Sequence, residues 1–220
     1  MSQRLLILGT GDHAAVSADT ARAMGLTVAG FLGSSNLRAP PELYIEGGAT
    51  DAGVVAVAAK TCAADACFAG FGDNATRRDA LDAAAHVDMA LASLIHPTAY
   101  VDPAAEIADG IFIGARAHVI TGARLERGAL INSAAFIEHD CRIGTCAAVY
   151  SGAVLGGRVT LGPLAAIGLN ATVLPGRTIG EGCVVGAGAV VTRDQAALTV
   201  VIGAPGKAVR ARAIDEPYIS

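Results

Sequence analysis

One short segment of the chain concentrates side chains that could move a proton. Glu138, His139 and Asp140 are consecutive, and Asn132 stands six positions before Glu138. A neutral imidazole can remove a proton from an attacking group, while an adjacent carboxylate orients the ring and stabilises the imidazolium that forms. A lone histidine is more often an ordinary surface residue, but this one stands in a segment otherwise rich in Ala, Gly and Val. The pattern therefore predicts a general-base site centred on His139.

The segment around His139 belongs to a six-residue repeat. Counting in sixes from Ile95 to Val191 meets 17 positions, and all of them are Ile, Leu or Val. A small or apolar residue stands four positions after each, and Arg177 is the one exception before the repeat ends. The repeat predicts a left-handed parallel β-helix, in which each hexad forms a short strand and a tight corner and three hexads close a coil. The glycines that often follow the aliphatic residues are expected to supply the corner conformations.

Stacking of the coils gives His139 a predicted neighbour. Three hexads make a coil of 18 residues, so Gly157 should lie one coil beyond His139. His139 stands between two inward positions, Ile137 and Cys141, and should point outward, toward a ligand or a neighbouring subunit. We hypothesise that the N–H of Gly157 stabilises an oxyanion there.

The other histidines and the cysteines of the repeat are weaker candidates for chemistry. His96 and His118 are expected to be structural or exposed, since neither has an adjacent carboxylate. Cys141 and Cys183 occupy inward small-residue positions, which favours packing over nucleophilic chemistry. Cys146 is expected to be partly exposed, with no activating base beside it.

The N-terminal part of the chain has an alternating strand and helix pattern. Strands are predicted at residues 5–8, 28–32, 66–71 and 89–94, helices at 14–24 and 75–85, and a loop at 33–48. Such alternation predicts a small parallel sheet with helices on its faces, a Rossmann-like arrangement. We therefore predict an α/β domain over residues 1–94 and the β-helix with a C-terminal tail over residues 95–220.

The first predicted strand ends in a glycine-rich turn, residues 9–13, with the sequence Gly-Thr-Gly-Asp-His. A turn between a strand and a helix can direct backbone N–H groups at a phosphate. The full dinucleotide fingerprint is absent, because its third glycine would fall at Ala14. Asp12 could equally cap the helix that follows.

Composition narrows the class of partner and compartment. The 220 residues carry a formal net charge of -4 without a basic tract, which disfavours nucleic acid and anionic membranes as partners. No apolar run is long enough to span a bilayer, and no secretory signal is evident. The five cysteines have no metal-ligand spacing, so we expect reduced thiols in a cytoplasmic protein.

Several motifs, in order along nearly the whole chain, resemble sugar acetyltransferases of the NeuD and PglD type. They are the glycine-rich turn with His13, the turn at residues 70–74 with Arg77, the Ile-His-Pro junction at 95–97, the Ile-Glu-His-Asp segment at 137–140, and the Ile-Gly-Ala-Pro-Gly-Lys tail at 202–207. The resemblance implies transfer of an acetyl group from acetyl-CoA to the amino group of a nucleotide-linked amino sugar. It also implies a homotrimer whose active sites lie between subunits, with no metal cofactor.

The resemblance also implies residue roles. His139 would be the general base, Asp140 would raise its basicity, and Asn132 and Glu138 would line the same site. The nucleotide or sugar would contact Thr10, Gly11, His13, Gly72 and Asn74. The coenzyme would run near Leu169, Gly186 and Ala187.

The chain departs from the family pattern in three places. Asp12 stands where the family has Gly before the histidine, and Gly33 and Ser34 stand where acidic residues follow the second strand. Ala148 stands where a second histidine lies near the coenzyme. The first two leave the nucleotide open, and the third suggests that backbone groups alone position the thioester carbonyl.

Four other functions remain open at this point. The acceptor could be a sugar hydroxyl, as in O-acetylation of sialic acids, or an amine that carries no nucleotide. The β-helix could also be a non-catalytic scaffold or a metal-dependent hydratase. The last needs three clustered histidines, whereas His96, His118 and His139 are spaced by 22 and 21 residues and would not align on neighbouring coils.

Overall fold

The computed structural model describes residues 2–34 and 43–217. It divides into two compact units between Pro97 and Thr98. The boundary predicted from the sequence lies three residues earlier, after residue 94. The part of the predicted 33–48 loop that covers residues 35–42 lies outside the described residues.

The first unit is a parallel sheet with helices in the connections. Its elements are β1 (Arg4–Leu8), α1 (Asp12–Ala23), β2 (Thr27–Gly33), β3 (Tyr44–Glu46), α2 (Ala52–Thr61), β4 (Ala66–Ala69), α3 (Asn74–Ala85) and β5 (Leu94–Ile95). Strands β1 to β4 are parallel in the order β3-β2-β1-β4. The predicted α/β architecture is confirmed.

The structure differs from the local predictions in this unit at three places. The predicted 33–48 loop contains β3, which pairs with β2 through Phe31 and Tyr44. Helix α2 was not predicted; the Asp51 side chain caps it by accepting from the Val54 N–H. Residues 89–94 form no full strand, because only Leu91 bridges to Cys67 before β5 begins. Pairing with β2 defines β3, and the Asp51 cap begins α2. The local residue pattern shows neither effect.

The order of the sheet creates a crevice. The chain leaves β1 for β2 and β3 on one side, and returns to β4 on the other side of β1. In open α/β sheets, ligands bind outside the carboxyl ends of the strands at such a switch point. The loops after β1 and β4, which carry the glycine-rich turns, therefore border the crevice where this rule places a ligand.

The second unit is the β-helix, with three faces. The first face contains β8 (Phe112–Ile113), β11 (Leu130–Ile131), β14 (Ala148–Val149), β17 (Ala166–Ile167), β20 (Val184–Val185), β22 (Thr199–Ile202) and the antiparallel β23 (Lys207–Ala211). The second face contains β6 (Tyr100–Val101), β9 (His118–Val119), β12 (Phe136–Ile137), β15 (Val154–Leu155), β18 (Thr172–Val173) and β21 (Val190–Val191). The third face contains β7 (Glu106–Ile107), β10 (Arg124–Leu125), β13 (Arg142–Ile143), β16 (Thr160–Leu161) and β19 (Thr178–Ile179).

The register confirms the predicted coil. Ile131 pairs with Val149 and Ile137 pairs with Leu155, so strands 18 residues apart are hydrogen-bonded in parallel. The repeated aliphatic residues are buried from Ile113 onward. The left-handed parallel β-helix predicted from the hexads is thus the observed fold.

Two details of the repeat differ from expectation. We count the repeated aliphatic residue as the first position of its hexad. Left-handed backbone occurs at the fourth position, as at Gly122 and Asp140, and not at the glycines that directly follow the aliphatic residues. Those glycines are needed because the next coil passes close: a Cβ on Gly144 would lie 2.7 Å from the backbone N of Pro163. Cys146, expected to be partly exposed, is fully buried at such a left-handed corner, with its Sγ 3.8 Å from the Arg127 carbonyl oxygen.

Arg177 breaks the column of small inward residues by leaving the interior. Its side chain is 38% exposed, its Nε donates to the carbonyl of Pro175 at 3.3 Å, and its Nη1 lies 3.8 Å from Asp194. The guanidinium of Arg177 is therefore not buried without a partner in the interior of the β-helix.

Candidate active site

His139 lies at the corner between β12 and β13, which we call the second–third corner. Its side chain points outward and is 41% exposed. The ring Nδ1 lies 2.8 Å from Oδ2 of Asp140. When Nδ1 carries the proton and donates it to this carboxylate, Nε2 keeps a lone pair for an incoming proton. The pair thus has the arrangement of an oriented general base.

Local backbone geometry positions this pair. Asp140 has φ +58, a left-handed conformation that Asp tolerates better than most residues. Its N–H donates to the Thr121 carbonyl at 3.1 Å, one coil earlier. Glu138 accepts from the His139 backbone N–H at 3.2 Å, so it fixes the corner and not the ring.

Gly157 lies directly beside the imidazole, one coil further along. A Cβ on Gly157 would stand 2.7 Å from Cε1 and 2.9 Å from Cδ2 of His139. The Arg158 N–H donates to the His139 carbonyl at 2.9 Å, which ties the two corners together. In the part of the chain that the structure describes, the Gly157 N–H donates to no protein acceptor. A donor that is unused and close to the base has the properties needed for oxyanion stabilisation.

Asn132 and the predicted coenzyme residues lie elsewhere. They share the corner that follows the first face and precedes the second, which we call the first–second corner; its members are Asn132, Leu169, Gly186 and Ala187. Asn132 accepts from the Ser133 N–H at 2.8 Å, and Leu169 is 52% exposed. In one chain, the second face of the β-helix lies between this corner and His139. The structure therefore does not bring Asn132 to the His139 corner within one subunit.

Cys141 is adjacent in sequence to the site but not a nucleophile. The residue is fully buried, and its thiol donates to the Gly156 carbonyl at 3.3 Å. Burial raises the pKa of the Cys141 thiol to about 11. Burial also raises the pKa of Cys183. Both thiols stay protonated near neutral pH, as their inward positions predicted.

His118 packs in an aromatic column on the outer side of the second face. Its ring stacks on Phe136 with centroids 5.0 Å apart and planes at 18°, and lies 6.1 Å from Tyr100. Within residues 2–34 and 43–217, no group of three or more His, Cys, Asp or Glu residues is arranged to hold a metal ion.

The residues predicted to bind nucleotide meet at the crevice of the first unit. Gly11 is the exposed N-cap of α1, and a Cβ there would have no atom within 4 Å. Gly72, after β4, faces α1: its Cβ would lie 4.0 Å from the Cβ of His13. Asn74 is buried at the start of α3. The two turns thus adjoin, and the N-terminus of α1 opens to solvent between them, as an anion site requires.

Arg77 holds the second turn in place. This side chain is 1% exposed, donates to the carbonyls of Phe71 at 2.9 Å and Gly72 at 3.1 Å, and donates to Oδ1 of Asn74 at 2.8 Å. Its positive charge and the burial of His13 act together. Burial first, and the Arg77 charge second, lower the pKa of His13 to about 3. His13 is therefore neutral at physiological pH.

The departure at Gly33 has a packing cause. A Cβ on Gly33 would lie 2.8 Å from both Oγ1 and Cγ2 of Thr10. Thr10 is buried and donates from Oγ1 to the Ser34 carbonyl at 2.9 Å. With Thr10 in this position, no acidic side chain fits at residue 33. Ala148, the third departure, is buried on the first face.

Models of two known protein families match parts of this chain. The model of the PglD N-terminal domain matches residues 4–84, and that of the hexapeptide repeat of succinyl-transferase matches residues 165–193. The chain is 30% identical to PerB from Caulobacter crescentus, solved in complex with CoA and GDP-perosamine, with a TM-score of 0.87 over 94% of this chain and 97% of that one. The chain belongs to the NeuD/PglD-type sugar acetyltransferase family. The enzyme class that the sequence predicted, an acyltransferase, is thereby confirmed.

Other solved structures share the whole architecture. The acetyltransferase domain of PglB from Neisseria gonorrhoeae FA1090, in complex with acetyl coenzyme A, is 30% identical with a TM-score of 0.83, covering 95% of this chain and 100% of that one. WeeI from Acinetobacter baumannii AYE is 17% identical with a TM-score of 0.81, covering 94% and 100%, and shows the fold alone. A search of curated protein sequences gave no significant match. Among the described helices of this family member, none combines the length and apolar character needed to cross a bilayer.

Proposed function

We propose that this enzyme transfers the acetyl group of acetyl-CoA to the amino group of a nucleotide-linked amino sugar. The complexes of PerB with CoA and GDP-perosamine and of the PglB domain with acetyl coenzyme A support this choice of substrates. The observation that carries the mechanism is local: His139 is oriented by Asp140 and lies against Gly157, whose N–H has no acceptor among the described residues.

The proposed reaction is a direct transfer. The amine nitrogen attacks the thioester carbonyl carbon, and Nε2 of His139 takes a proton from that nitrogen. The Gly157 N–H stabilises the negative charge on the carbonyl oxygen of the tetrahedral intermediate. The carbon–sulfur bond then breaks, the imidazolium returns its proton to the departing CoA thiolate, and the amide product remains. Asp140 stabilises the imidazolium between these two steps.

The first unit would bind the nucleotide. The N-terminus of α1 at Gly11 offers backbone N–H groups and the positive end of a helix dipole. His13 and Gly72 would form the sides of that site, with Thr10 and Asn74 buried beneath it. Because His13 is neutral, it would act as a hydrogen-bonding group and not as a counter-ion for phosphate. Asp12, exposed in the first turn of α1, would disfavour a diphosphate placed next to it.

A homotrimer would complete the site. His139 and the proposed coenzyme residues Leu169, Gly186 and Ala187 occupy the two corners that flank the second face. If three copies pack with their second faces toward a common axis, the His139 corner of one copy approaches the first–second corner of the next, with Asn132 on it. The outward side chains of the second face fit that role, since Tyr100 and Val154 are exposed and Phe136 and His118 stack.

The third face is a poorer candidate for subunit contact. Its outward residues include Glu106, Arg124 and Arg142, and Arg124 pairs with Glu106 at 3.2 Å. Such a solvated charged surface costs more to bury than the apolar second face. The contrast between the two faces therefore supports trimer contact through the second.

The test is release of CoA thiol with a panel of acceptors: UDP-, GDP- and dTDP-linked amino sugars, and free sialic acids. Turnover should require an amino sugar with a nucleotide, and His139→Ala should lower kcat by a factor of about 10² or more. His86→Ala, which changes an exposed histidine at the end of α3, is the matched control. Turnover of sialic acids alone would show O-acetylation instead, and full activity of His139→Ala would exclude this mechanism.

A further inference from the structure

Gly122 lies one coil before Asp140, at the same second–third corner. It has φ +71, and a Cβ there would stand 2.6 Å from Oδ1 of Asp140. The other atoms that this Cβ would approach are further away, with Cγ of Asp140 at 3.5 Å and its backbone N at 3.7 Å. The close approach therefore involves only the tip of the carboxylate.

The same carboxylate makes the contact with the base. Oδ1 lies against Gly122, while Oδ2 lies 2.8 Å from Nδ1 of His139. The carboxylate thus fills the space between the glycine and the imidazole. Its orientation depends on both neighbours, because a planar group cannot move one oxygen without moving the other.

We propose that Gly122 is a positioning residue for the general base. The missing side chain at residue 122 lets one oxygen of the Asp140 carboxylate lie against the preceding coil while the other oxygen reaches His139. This inference rests on the proposed role of His139, and it adds a residue that touches neither substrate nor base. The fourth hexad position of this repeat also accepts Arg, Leu and Asn in left-handed conformation. The backbone angle alone therefore does not require glycine at residue 122, and the contact with the carboxylate supplies a further reason for it.

A methyl group at residue 122 should change the site without unfolding the corner. The Asp140 side chain is short and 61% exposed, so it can rotate toward solvent at little cost. After rotation, Oδ2 no longer contacts Nδ1. The ring then loses the group that orients it and stabilises its protonated form.

The chain offers a matched control for the backbone effect. Gly176 occupies the same column of the same corner, with φ +69, and a Cβ there would have no atom within 4 Å. Gly122→Ala and Gly176→Ala therefore carry the same left-handed backbone penalty. Only the first also displaces a carboxylate.

The experiment is a double-mutant cycle on the whole enzyme, with kcat and KM measured for each variant and thermal unfolding measured alongside. Gly122→Ala should lower kcat by roughly tenfold or more with KM for acetyl-CoA unchanged, short of the roughly 10⁴-fold cost of disabling the carboxylate of a serine-protease triad. Gly176→Ala should keep wild-type kcat. In an Asp140→Ala background, Gly122→Ala should change kcat by less than about twofold, because the carboxylate is already gone.

Equal kcat for the two glycine variants, or an undiminished Gly122→Ala effect without Asp140, would overturn the inference. If Gly122→Ala does not fold, Gly122→Asn and Gly176→Asn replace the pair, since Asn adopts the left-handed conformation more readily. The same outcomes then apply. Failure of the proposed mechanism is a separate result, since it appears as an active His139→Ala enzyme.

Discussion

The imidazole of His139 lies against the Cα of Gly157, one coil further along the β-helix. The third hexad position is the second residue after the repeated aliphatic one. From residue 97 to residue 187, every residue at this position except Gly157 bears a side chain, so the backbone here accepts one. Gly157 has no left-handed φ that would require glycine. The absence of a side chain at 157 therefore serves the ring of His139.

Gly157→Ala should therefore inactivate the enzyme without unfolding it. The new Cβ would occupy the place of the imidazole, and the ring, which is 41% exposed, would swing away from the Gly157 N–H. We expect kcat to fall by about 10² or more, as for loss of a general base. Steady-state thiol release measures it, with circular dichroism as the folding check. A Gly157→Ala enzyme with wild-type kcat would contradict this geometry.

Asp140→Asn should lower kcat while leaving substrate binding unchanged. The amide oxygen can still accept from Nδ1, and Asn tolerates the left-handed backbone of residue 140. The lost negative charge no longer stabilises the imidazolium, so we expect kcat to fall by roughly tenfold or more. Separate measurement of kcat and KM tests this. An effect confined to KM would assign Asp140 to binding instead.

Cys141→Ala should retain activity. The thiol is buried with a pKa raised to about 11, and Ala123 occupies the equivalent position one coil earlier. Because such a thiol is not a nucleophile, kcat should change by less than about twofold. Mass spectrometry after incubation with acetyl-CoA alone should find no acetylated enzyme. Loss of turnover together with an acetylated wild-type enzyme would establish a covalent intermediate.

His13 should make the first unit less stable in acid. The unfolded chain takes up a proton near pH 6.5, whereas the folded His13 does so only at about 3. Between these values the unfolded state binds more protons, so the free energy of unfolding falls as pH drops, by up to about 1.4 kcal/mol per pH unit. Urea unfolding at several pH values tests this. His13→Asn should flatten the dependence, and the exposed His86→Ala should not; an equal slope in all three would contradict it.

Val154→Asp should disrupt the proposed trimer. Val154 is 38% exposed on the second face, and a carboxylate there would have to be buried between copies. Thr160→Asp, on the neighbouring third face, is the matched control. Analytical ultracentrifugation should show monomers for the first variant and trimers for the second, with activity lost only in the first. A trimeric Val154→Asp protein would place the interface elsewhere.

The extent to which the fold was predictable differs between the two units. In the β-helix, each hexad repeats the same short-range requirement, so a local pattern summed over 17 positions specified the coil and its 18-residue register. In the first unit, β3 and α2 were missed. The short β3 is stabilised by its pairing with β2, and the capping of α2 by Asp51 has a weak sequence signal.

The candidate site was likewise predictable from the sequence only in part. The period of 18 was enough to predict that Gly157 adjoins His139. We predicted that Asn132 lines the same site as His139, although the hexad count places the two residues at different corners. Three further relationships have no signal in the sequence: Thr10 excludes a side chain at Gly33, Arg77 supports the turn after β4, and Gly122 leaves room for Asp140.

The sequence by itself therefore determined the family, the coiled architecture and the stacking partner of His139, because these follow from a period and from residue order. Only the tertiary structure decided the orientation of Asp140 between Gly122 and His139, the neutral state of His13 and the separation of the two corners. The physical reason is that these depend on distances between side chains and backbone on different coils or loops. Burial and steric exclusion over a few ångströms arise from packing, which no local pattern of residue types encodes.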